Sequence, residues 1–239
     1  QVLCEMLAQL KNEDGSIAIP GFYDDVEEIP SWEREEMASL PFSESDMKRY
    51  LGVDILAGEP GYTPMEQKTA RPTLDINGIW GGFSGEGAKT IIPATAGAKV
   101  SMRLVPGQRS SRINALFKDF LHSIARPGVQ VRITEFHGSD PVVVPRNQPG
   151  VQAAARAIET GFGKAPVFIR EGGSIPIVSL FKEVLGCGNI LLMGWGNPDD
   201  GAHSPNERFL LENFRRGTRS AAALFYELAS EPGALGTKN

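Results

Sequence analysis

The residues best suited to chemistry are two adjacent aspartates and a histidine, Asp199, Asp200 and His203. They lie in a loop rich in glycine and proline that runs from Gly196 to Glu207. Adjacent carboxylates repel each other unless they are solvated or face a cation, and a neutral imidazole is a common metal ligand. The cluster therefore indicates either a metal-binding or catalytic histidine, or a solvated acidic loop whose histidine caps a helix.

This loop lies between two predicted elements. A compact apolar run over 189–195, bounded by glycines, predicts a short buried strand, and apolar residues at helical spacing predict a helix over 207–228. Asn206 or Ser204 can cap this helix. Ligand sites of open α/β sheets usually lie where the carboxyl end of a strand passes into a helix, so the position of His203 favours a functional role.

A second turn could bind an anion. Gly173 and Ser174 lie within Arg170 to Pro176, between a predicted strand and a predicted helix. Backbone N–H groups at a helix start can capture a carboxylate, but the same residues also suit an ordinary strand-to-helix turn with a serine cap. Both turns follow neighbouring strands, so we expect them to face one cleft.

Composition narrows the class of protein. The chain has 239 residues, 41% of them hydrophobic, and a formal net charge of -5, which argues against a nucleic-acid partner. Apolar runs are too short for a membrane span, so we expect a globular cytoplasmic protein. Cys4 and Cys187 lie in unlike settings, which argues against a disulfide. Because Gln1 lies within a helical pattern without a cap, we expect the true beginning of the protein to be missing.

In the first part of the chain, the order of predicted helices and strands indicates a split βαβ sandwich with helices on one face. Its predicted helices are 1–11 and 110–124, with helix-like patches at 31–40 and 43–51 in a weakly patterned stretch. Its predicted strands are 16–20, 73–79, a strand pair over 90–105 that contains Arg103, and 129–136. This segment closes near Val144, and Pro145 to Pro149 is the predicted boundary.

The remainder alternates helix and strand. We predict helices over 151–162 and 175–185 and strands over 166–169 and 189–195. This order indicates a parallel sheet covered by helices, but two strands are too few for such a sheet to stand alone. We therefore expect an α/β chain, with an α+β first domain followed by part of an α/β domain.

Six motifs, taken in order, resemble the di-zinc peptidase family of clan MH, most closely its dipeptidase branch. This family includes carnosinase-type dipeptidases, aminoacylases and succinyl-diaminopimelate desuccinylases. The similar segments are DGSIAIPGFYDDV (14–26), RPTLDINGIWGG (71–82), KTIIPATAGAKVSMRLVPGQ (89–108), EFHGSDP (135–141), REGGSIPI (170–177) and DDGAHSPNE (199–207).

The resemblance implies a domain division. Residues 1–144 would form the lid, or dimerisation, domain without its first strand. Residues 145–239 would form the C-terminal segment of a phosphorylase/hydrolase-like zinc peptidase domain. It also implies a homodimer through the lid, in which one subunit's lid commonly reaches the other subunit's active site.

The resemblance also implies roles for individual residues. His203 would be a zinc ligand, in an intact site of two zinc ions that share a water. Arg103 would hold the substrate's terminal carboxylate with its bidentate fork. Gly173 and Ser174 would form the turn that touches substrate. Further lid contacts would come from Thr90, His137 and Asn77.

This chain departs from the family pattern in one important respect. The family's other metal ligands, its general-base glutamate and a lid histidine that polarises the scissile carbonyl have no counterpart here, so we assign no catalytic residue. Known zinc sites use three or four protein ligands, so we expect little or no bound zinc and an inactive chain if it stands alone. The predicted activity of the intact protein is hydrolysis of a dipeptide or short peptide with a free C-terminal carboxylate. Two alternatives stay open, an N-acyl amino acid deacylase and a non-catalytic dimerisation fragment.

Overall fold

The computed structural model describes residues 1–171, 175–186 and 190–231, with eight helices and two strands in these ranges. The helices are α1 (Val2–Ala8), α2 (Ser31–Ala38), α3 (Glu44–Leu51), α4 (Pro64–Ala70), α5 (Ser110–Ile124), α6 (Pro149–Phe162), α7 (Pro176–Leu185) and α8 (Leu211–Ser230). The strands are β1 (Thr73–Gly81) and β2 (Ala96–Arg103). None of the described helices is both long enough and apolar enough to cross a bilayer.

The chain divides into two compact units. Unit 1 comprises Gln1–Pro30, Asp54–Pro141 and Arg170–Pro176, and unit 2 comprises Ser31–Val53, Val142–Ile169 and Ile177–Asn239. The change near residue 142 lies close to the predicted boundary, but Ser31–Val53 clusters with the later segments. The division into a lid at 1–144 and a catalytic segment at 145–239 stays a prediction.

The core of unit 1 lies between α1, α5 and the start of the β1–β2 pair. Apolar residues of α5 recur at i, i+4 and i+8, which places Ile113, Phe117 and Leu121 on one buried face. They pack with the other buried residues of this cluster, Met6, Leu7, Leu10, Ile17, Ile19, Phe22, Leu74 and Leu104. The predicted helices at 1–11 and 110–124 are thus confirmed, and both bury the apolar face that the sequence indicates.

Strands β1 and β2 form an antiparallel pair in which Thr73 lies opposite Arg103 and Gly81 lies opposite Ala96. The predicted strand at 73–79 is confirmed. The predicted strand pair over 90–105 is wrong, because only 96–103 forms a strand. Two features limit β2: its partner β1 ends at Gly81, and Pro93 has no backbone N–H to donate to a ladder.

Four other predicted strands do not form ladders. Residues 16–20 make only the isolated bridge between Lys11 and Ile17, and 129–136, 166–169 and the described part of 189–195 contain no strand. Side-chain burial still alternates along parts of these segments, and Val131 and Ile133 pack on the core of unit 1. The predicted alternation of buried and exposed side chains is therefore correct at 131–133, but a strand also needs a hydrogen-bonded neighbour. The described residues provide none at these positions.

The helices of unit 2 pack closely. α6 contacts α8, and Gly161 lies so near to α8 that a Cβ there would be 2.0 Å from the Ser220 hydroxyl oxygen. Helix α6 ends at Gly163, which adopts the left-handed conformation at φ 72°. The helices predicted over 151–162 and 175–185 are confirmed, with one- or two-residue shifts at their first residues.

One helix was missed by sequence reasoning. Helix α4 lies in the stretch interpreted as irregular, and it begins with a capping box in which Thr63 and Glu66 exchange hydrogen bonds. Pro64 occupies its first turn, where a missing N–H costs nothing. The segment Thr-Pro-Met-Glu carries this signature, so the sequence did contain the signal. The helix-like patches at 31–40 and 43–51 correspond to α2 and α3.

Candidate functional site

The loop that carries His203 is a series of hydrogen-bonded turns within unit 2. The Ser204 N–H donates to the Gly201 carbonyl at 3.0 Å, and the Arg208 N–H donates to the Asp200 carbonyl at 2.8 Å. His203 has φ 63°, in the left-handed region that few residues other than glycine adopt. Its side chain is exposed. The loop thus holds a histidine on the surface in a strained backbone conformation, a combination that clusters at functional sites.

The cation that faces the two adjacent carboxylates is Arg208. Its Nη2 pairs with the Asp199 carboxylate, and its Nε lies 3.8 Å from Asp200 Oδ1. Asp199 is exposed, whereas the Asp200 side chain is only 7% exposed and its Oδ2 accepts the Asn197 N–H at 2.6 Å. Arg208 therefore offsets the charge of the acidic pair, and Asp200 closes the loop through its bond to Asn197.

The predicted start of the following helix is wrong. Helix α8 begins at Leu211, and its N-cap Leu210 makes no side-chain capping bond. Ser204 lies too far before Leu211 to be its N-cap, and its hydroxyl donates to the Gly201 carbonyl at 2.6 Å within the loop. Asn206 instead adopts φ 64°, a left-handed turn conformation that asparagine tolerates. Ser204 and Asn206, which the sequence pattern predicts as helix caps, instead belong to the turns at 201–207.

An asparagine of α8 anchors the beginning of the loop. Asn213 Nδ2 donates to the Trp195 carbonyl at 2.8 Å and to Asn197 Oδ1 at 3.1 Å. The Trp195 ring stacks on Phe162 of α6, with centroids 5.4 Å apart. Asn213 lies in the helix predicted over 207–228, but sequence reasoning missed its role. The signal for such a role was an amide side chain among apolar residues at helical spacing, because a polar group that is buried or partly buried requires hydrogen-bond partners.

Arg103 lies at the end of β2 in unit 1 and is half-buried. Its Nη1 donates to the Lys68 carbonyl in α4 at 2.9 Å. A guanidinium has five N–H donors in a planar fork, so one such bond fixes its orientation and leaves capacity for a carboxylate. This arrangement suits the predicted role of Arg103 without testing it.

The other predicted substrate contacts have separate surroundings. Asn77 is exposed at the irregularity between Ile76 and Gly78 in β1, and Thr90 is exposed before β2. His137 is exposed in the segment after α5. All three belong to unit 1, as Arg103 does, whereas His203 belongs to unit 2. The predicted residues Gly173 and Ser174 lie outside the described residues.

The described side chains do not form a complete metal site. Zinc sites in proteins use three or four protein ligands. Across residues 1–171, 175–186 and 190–231, no group of three or more histidine, cysteine, aspartate or glutamate side chains is placed to hold a metal ion. Of the loop's acidic side chains, Asp199 and Asp200 face Arg208. These residues do not make a complete zinc site with His203, and the chemistry of this part of the chain cannot be derived through a metal.

Comparison with known proteins identifies the family to which these elements belong. The profile of peptidase family M20/M25/M40 matches residues 2–227. The chain therefore belongs to this family. The match includes the His203 loop, Arg103 and both units, so the resemblance drawn from the six motifs is confirmed.

Relatives and solved structures agree with this assignment. The Cys-Gly metallodipeptidase dug1 of Schizosaccharomyces pombe is 32% identical over 231 residues, which are 95% of this chain and 48% of that protein. The human Beta-Ala-His dipeptidase is 31% identical over 95% of this chain and 45% of its own length. The chain thus spans about half the length of these relatives.

Solved structures show the same fold. The di-peptidase Dug1p from Saccharomyces cerevisiae superposes with a TM-score of 0.83 at 30% identity, covering 97% of this chain and 49% of that chain. The M20 family metallo-carboxypeptidase Sso-CP2 from Sulfolobus solfataricus superposes with a TM-score of 0.80 at 27% identity, covering 95% and 52%. Together with the mixture of helices and strands, these likenesses confirm the predicted α/β class.

Proposed function

We propose that this chain serves in the metal-dependent hydrolysis of a dipeptide or short peptide with a free C-terminal carboxylate, and that it contributes lid and substrate-binding parts. The observation that carries the proposal is the match of about 95% of the chain to relatives named as a Cys-Gly metallodipeptidase and a Beta-Ala-His dipeptidase. No observation on the chain favours an N-acyl amino acid deacylase or a non-catalytic dimerisation fragment over this activity.

Arg103 is the proposed anchor of the substrate's carboxylate. It is a half-buried guanidinium at a strand end, already oriented by the Lys68 carbonyl. A planar fork with several remaining donors matches the two oxygens of a carboxylate, which a lysine in its place could contact only as a point charge. Thr90, His137 and Asn77, all exposed, are proposed as further contacts, and Gly173 with Ser174 as the turn that touches substrate.

We propose zinc as the metal and His203 as one of its ligands. A zinc ion bound by these enzymes would supply Lewis-acid chemistry at the amide carbonyl. His203 fits such a role because its imidazole is exposed on a loop fixed by Asp200 and Arg208. We propose that further ligands and a general base come from outside the described residues. We therefore propose that the 239-residue chain alone is inactive.

The proposed assembly is a homodimer through a lid formed by residues 1–144, with 145–239 as a segment of the catalytic domain. Exposed apolar side chains on β1, among them Ile79 and Trp80, support an interface on this part of unit 1. Cytoplasmic location stays a prediction.

One assay tests the activity and its carboxylate anchor together. The full-length protein, purified with zinc, would be given a dipeptide, the same dipeptide as its C-terminal amide, and an N-acyl amino acid. We expect hydrolysis of the dipeptide, loss of this activity after chelation, and its return with zinc. Replacement of Arg103→Met should raise KM for the dipeptide by about 10- to 150-fold and leave KM for the amide unchanged, as loss of a charged hydrogen bond of about 1.5–3 kcal/mol implies. Preferred cleavage of the acyl amino acid, or equal treatment of acid and amide, would contradict the proposal.

A further inference from the structure

Helix α4 is the element that holds Arg103. The 2.9 Å bond from Arg103 Nη1 reaches the carbonyl of Lys68, in the last turn of this helix. Carbonyl groups in the last turn of a helix have no partner within the helix and carry the negative end of its dipole, so they attract a cation. The position of the guanidinium therefore depends on the position of α4.

A buried ion pair fixes the same end of α4. Arg71, the residue after the helix, donates from Nε to Glu59 Oε2 at 3.0 Å and from Nη2 to Glu59 Oε1 at 2.6 Å. Its side chain is 9% exposed, and that of Glu59 is 19% exposed. A bidentate pair of this geometry fixes both side chains in direction as well as in distance. The Arg71 backbone N–H also donates to the Glu66 carbonyl, which closes the helix end.

Further contacts tie α4 to the turn before it. The Arg71 guanidinium lies 4.2 Å from the centroid of the Tyr62 ring and 5.2 Å from that of Tyr23. Gln67 of α4 donates to the carbonyls of both Glu59 and Tyr62, at 3.0 and 2.9 Å. Burial lowers the pKa of Arg71, but the hydrogen bonds and the charge of Glu59 outweigh it and raise that pKa above its ordinary value. The Arg71 guanidinium therefore stays charged, and α4 is attached at one end by a group that is both buried and paired.

We propose that Arg71 is a positioning residue for substrate carboxylate recognition. Through its pair with Glu59 it fixes the end of α4, and the Lys68 carbonyl of that helix then holds the Arg103 guanidinium before substrate arrives. This inference rests on the proposed function, in which Arg103 binds the carboxylate. A guanidinium that is ordered beforehand loses less freedom on binding, so the benefit appears in affinity for a substrate that carries the carboxylate.

The test is a KM comparison in the full-length zinc-loaded protein, with a dipeptide and its C-terminal amide as substrates. Arg71→Met should raise KM for the dipeptide by about 2- to 10-fold, the cost of ordering one long side chain, with kcat nearly unchanged and KM for the amide unaffected. Glu59→Gln should do the same. Arg71→Lys keeps the charge without the bidentate geometry and should fall between wild type and Arg71→Met.

Two further variants keep the test decisive. Because Arg71→Met leaves the partly buried Glu59 carboxylate without its partner, the double variant Arg71→Met with Glu59→Gln removes both charges and should fold while showing the same rise in KM. The control Arg112→Met removes exposed ion pairs with Asp24 and Asp25 in the same unit and should leave both KM values unchanged.

The outcomes separate this inference from the proposed function. A merely structural role of Arg71 would lower the active fraction, and hence kcat, equally for both substrates, and this result would overturn the inference. Equal rises in KM for acid and amide, or no rise, would overturn it as well. If Arg103→Met itself does not distinguish acid from amide, the proposed carboxylate anchor fails. If Arg103→Met does and Arg71→Met does not, only the positioning role fails.

Discussion

The carboxylate of Asp200 accepts a hydrogen bond from the backbone N–H of Asn197 at 2.6 Å, and this bond closes the beginning of the His203 loop. The Asp200 carbonyl accepts the Arg208 N–H at 2.8 Å, so the same residue also ties the loop's end. One buried residue therefore joins the two ends of the segment that presents His203.

Replacement of Asp200→Ala should destabilise the protein by about 1–3 kcal/mol, because it leaves the Asn197 N–H without its acceptor. The matched control is Asp199→Ala. Asp199 also pairs with Arg208 but is about half exposed, so its loss should cost no more than about 1 kcal/mol. Urea unfolding of the two variants beside wild type would measure the difference. Equal stability of the two variants would show that the buried carboxylate does not hold the loop.

Helices α6 and α8 allow no side chain at Gly161. A Cβ at this position would lie 2.0 Å from Ser220 Oγ and 2.6 Å from the Arg216 carbonyl oxygen. We expect Gly161→Ala to cost about 1–3 kcal/mol from overpacking, more than the gain of up to about 1 kcal/mol in helix propensity. The shift in Tm would be compared with that of Thr160→Ala, an exposed neighbour on α6.

Ser220→Ala in the Gly161→Ala background removes the nearest clashing atom. This second change should restore part of the lost Tm, since Ser220 Oγ is the closest atom to the added methyl group. If Gly161→Ala were as stable as Thr160→Ala, this result would contradict the close approach of α6 and α8 at Gly161.

A side chain from a later segment caps α5. The Ser110 N–H donates to Asp140 Oδ1 at 2.8 Å, and the Ser110 hydroxyl donates to the same oxygen at 3.0 Å. The backbone hydrogen bond from Ser110, aided by its hydroxyl and by Arg109, holds the pKa of Asp140 below its ordinary value despite partial burial. A carboxylate with a lowered pKa in the folded state stabilises the fold when it is ionised.

The pH dependence of this contribution has a definite sign. Stabilisation by Asp140 should be complete above the ordinary aspartate pKa of about 3.9 and should be lost as the pH falls through the lower folded value. The difference in unfolding free energy between wild type and Asp140→Asn should therefore be largest near neutral pH and shrink toward pH 3. Asp119→Asn, an exposed change on α5, serves as the control. A difference that is constant from pH 7 to pH 3 would contradict the assignment.

Local patterns in the sequence predicted the helices well because each helix satisfies its own backbone. Helix α5 shows this clearly, since Ile113, Phe117 and Leu121 recur on one face and are buried. The strands were harder to predict because a ladder requires a second segment. The run at 129–136 alternates as a strand would, yet it forms no strand in the described part of the chain, and whether a partner segment exists cannot be read from its own residues.

The candidate site was predictable only in part for a related reason. His203 and the acidic pair stand out by residue type and spacing, but the pairing of that acidic pair with Arg208 depends on how the loop folds back. Arg71 and Glu59 are 12 positions apart in a stretch without clear periodicity, and their bidentate contact is a tertiary feature. Sequence patterns indicate which groups could do chemistry, whereas the contacts that orient them come from folding.

Asn206 provides a test of the loop's backbone that is independent of catalysis. It adopts φ 64°, a conformation that is strongly disfavoured for a β-branched residue and that glycine adopts readily. We expect Asn206→Val to destabilise the protein by about 1–2 kcal/mol and Asn206→Gly to be close to neutral. Ala202→Val is the control, because Ala202 is exposed in the same loop and does not adopt a positive φ. Chemical denaturation of the three variants would rank them. If Asn206→Val matched Ala202→Val, the left-handed turn would not exist, and residues 204–206 would again be available to cap a helix as the sequence pattern alone predicts.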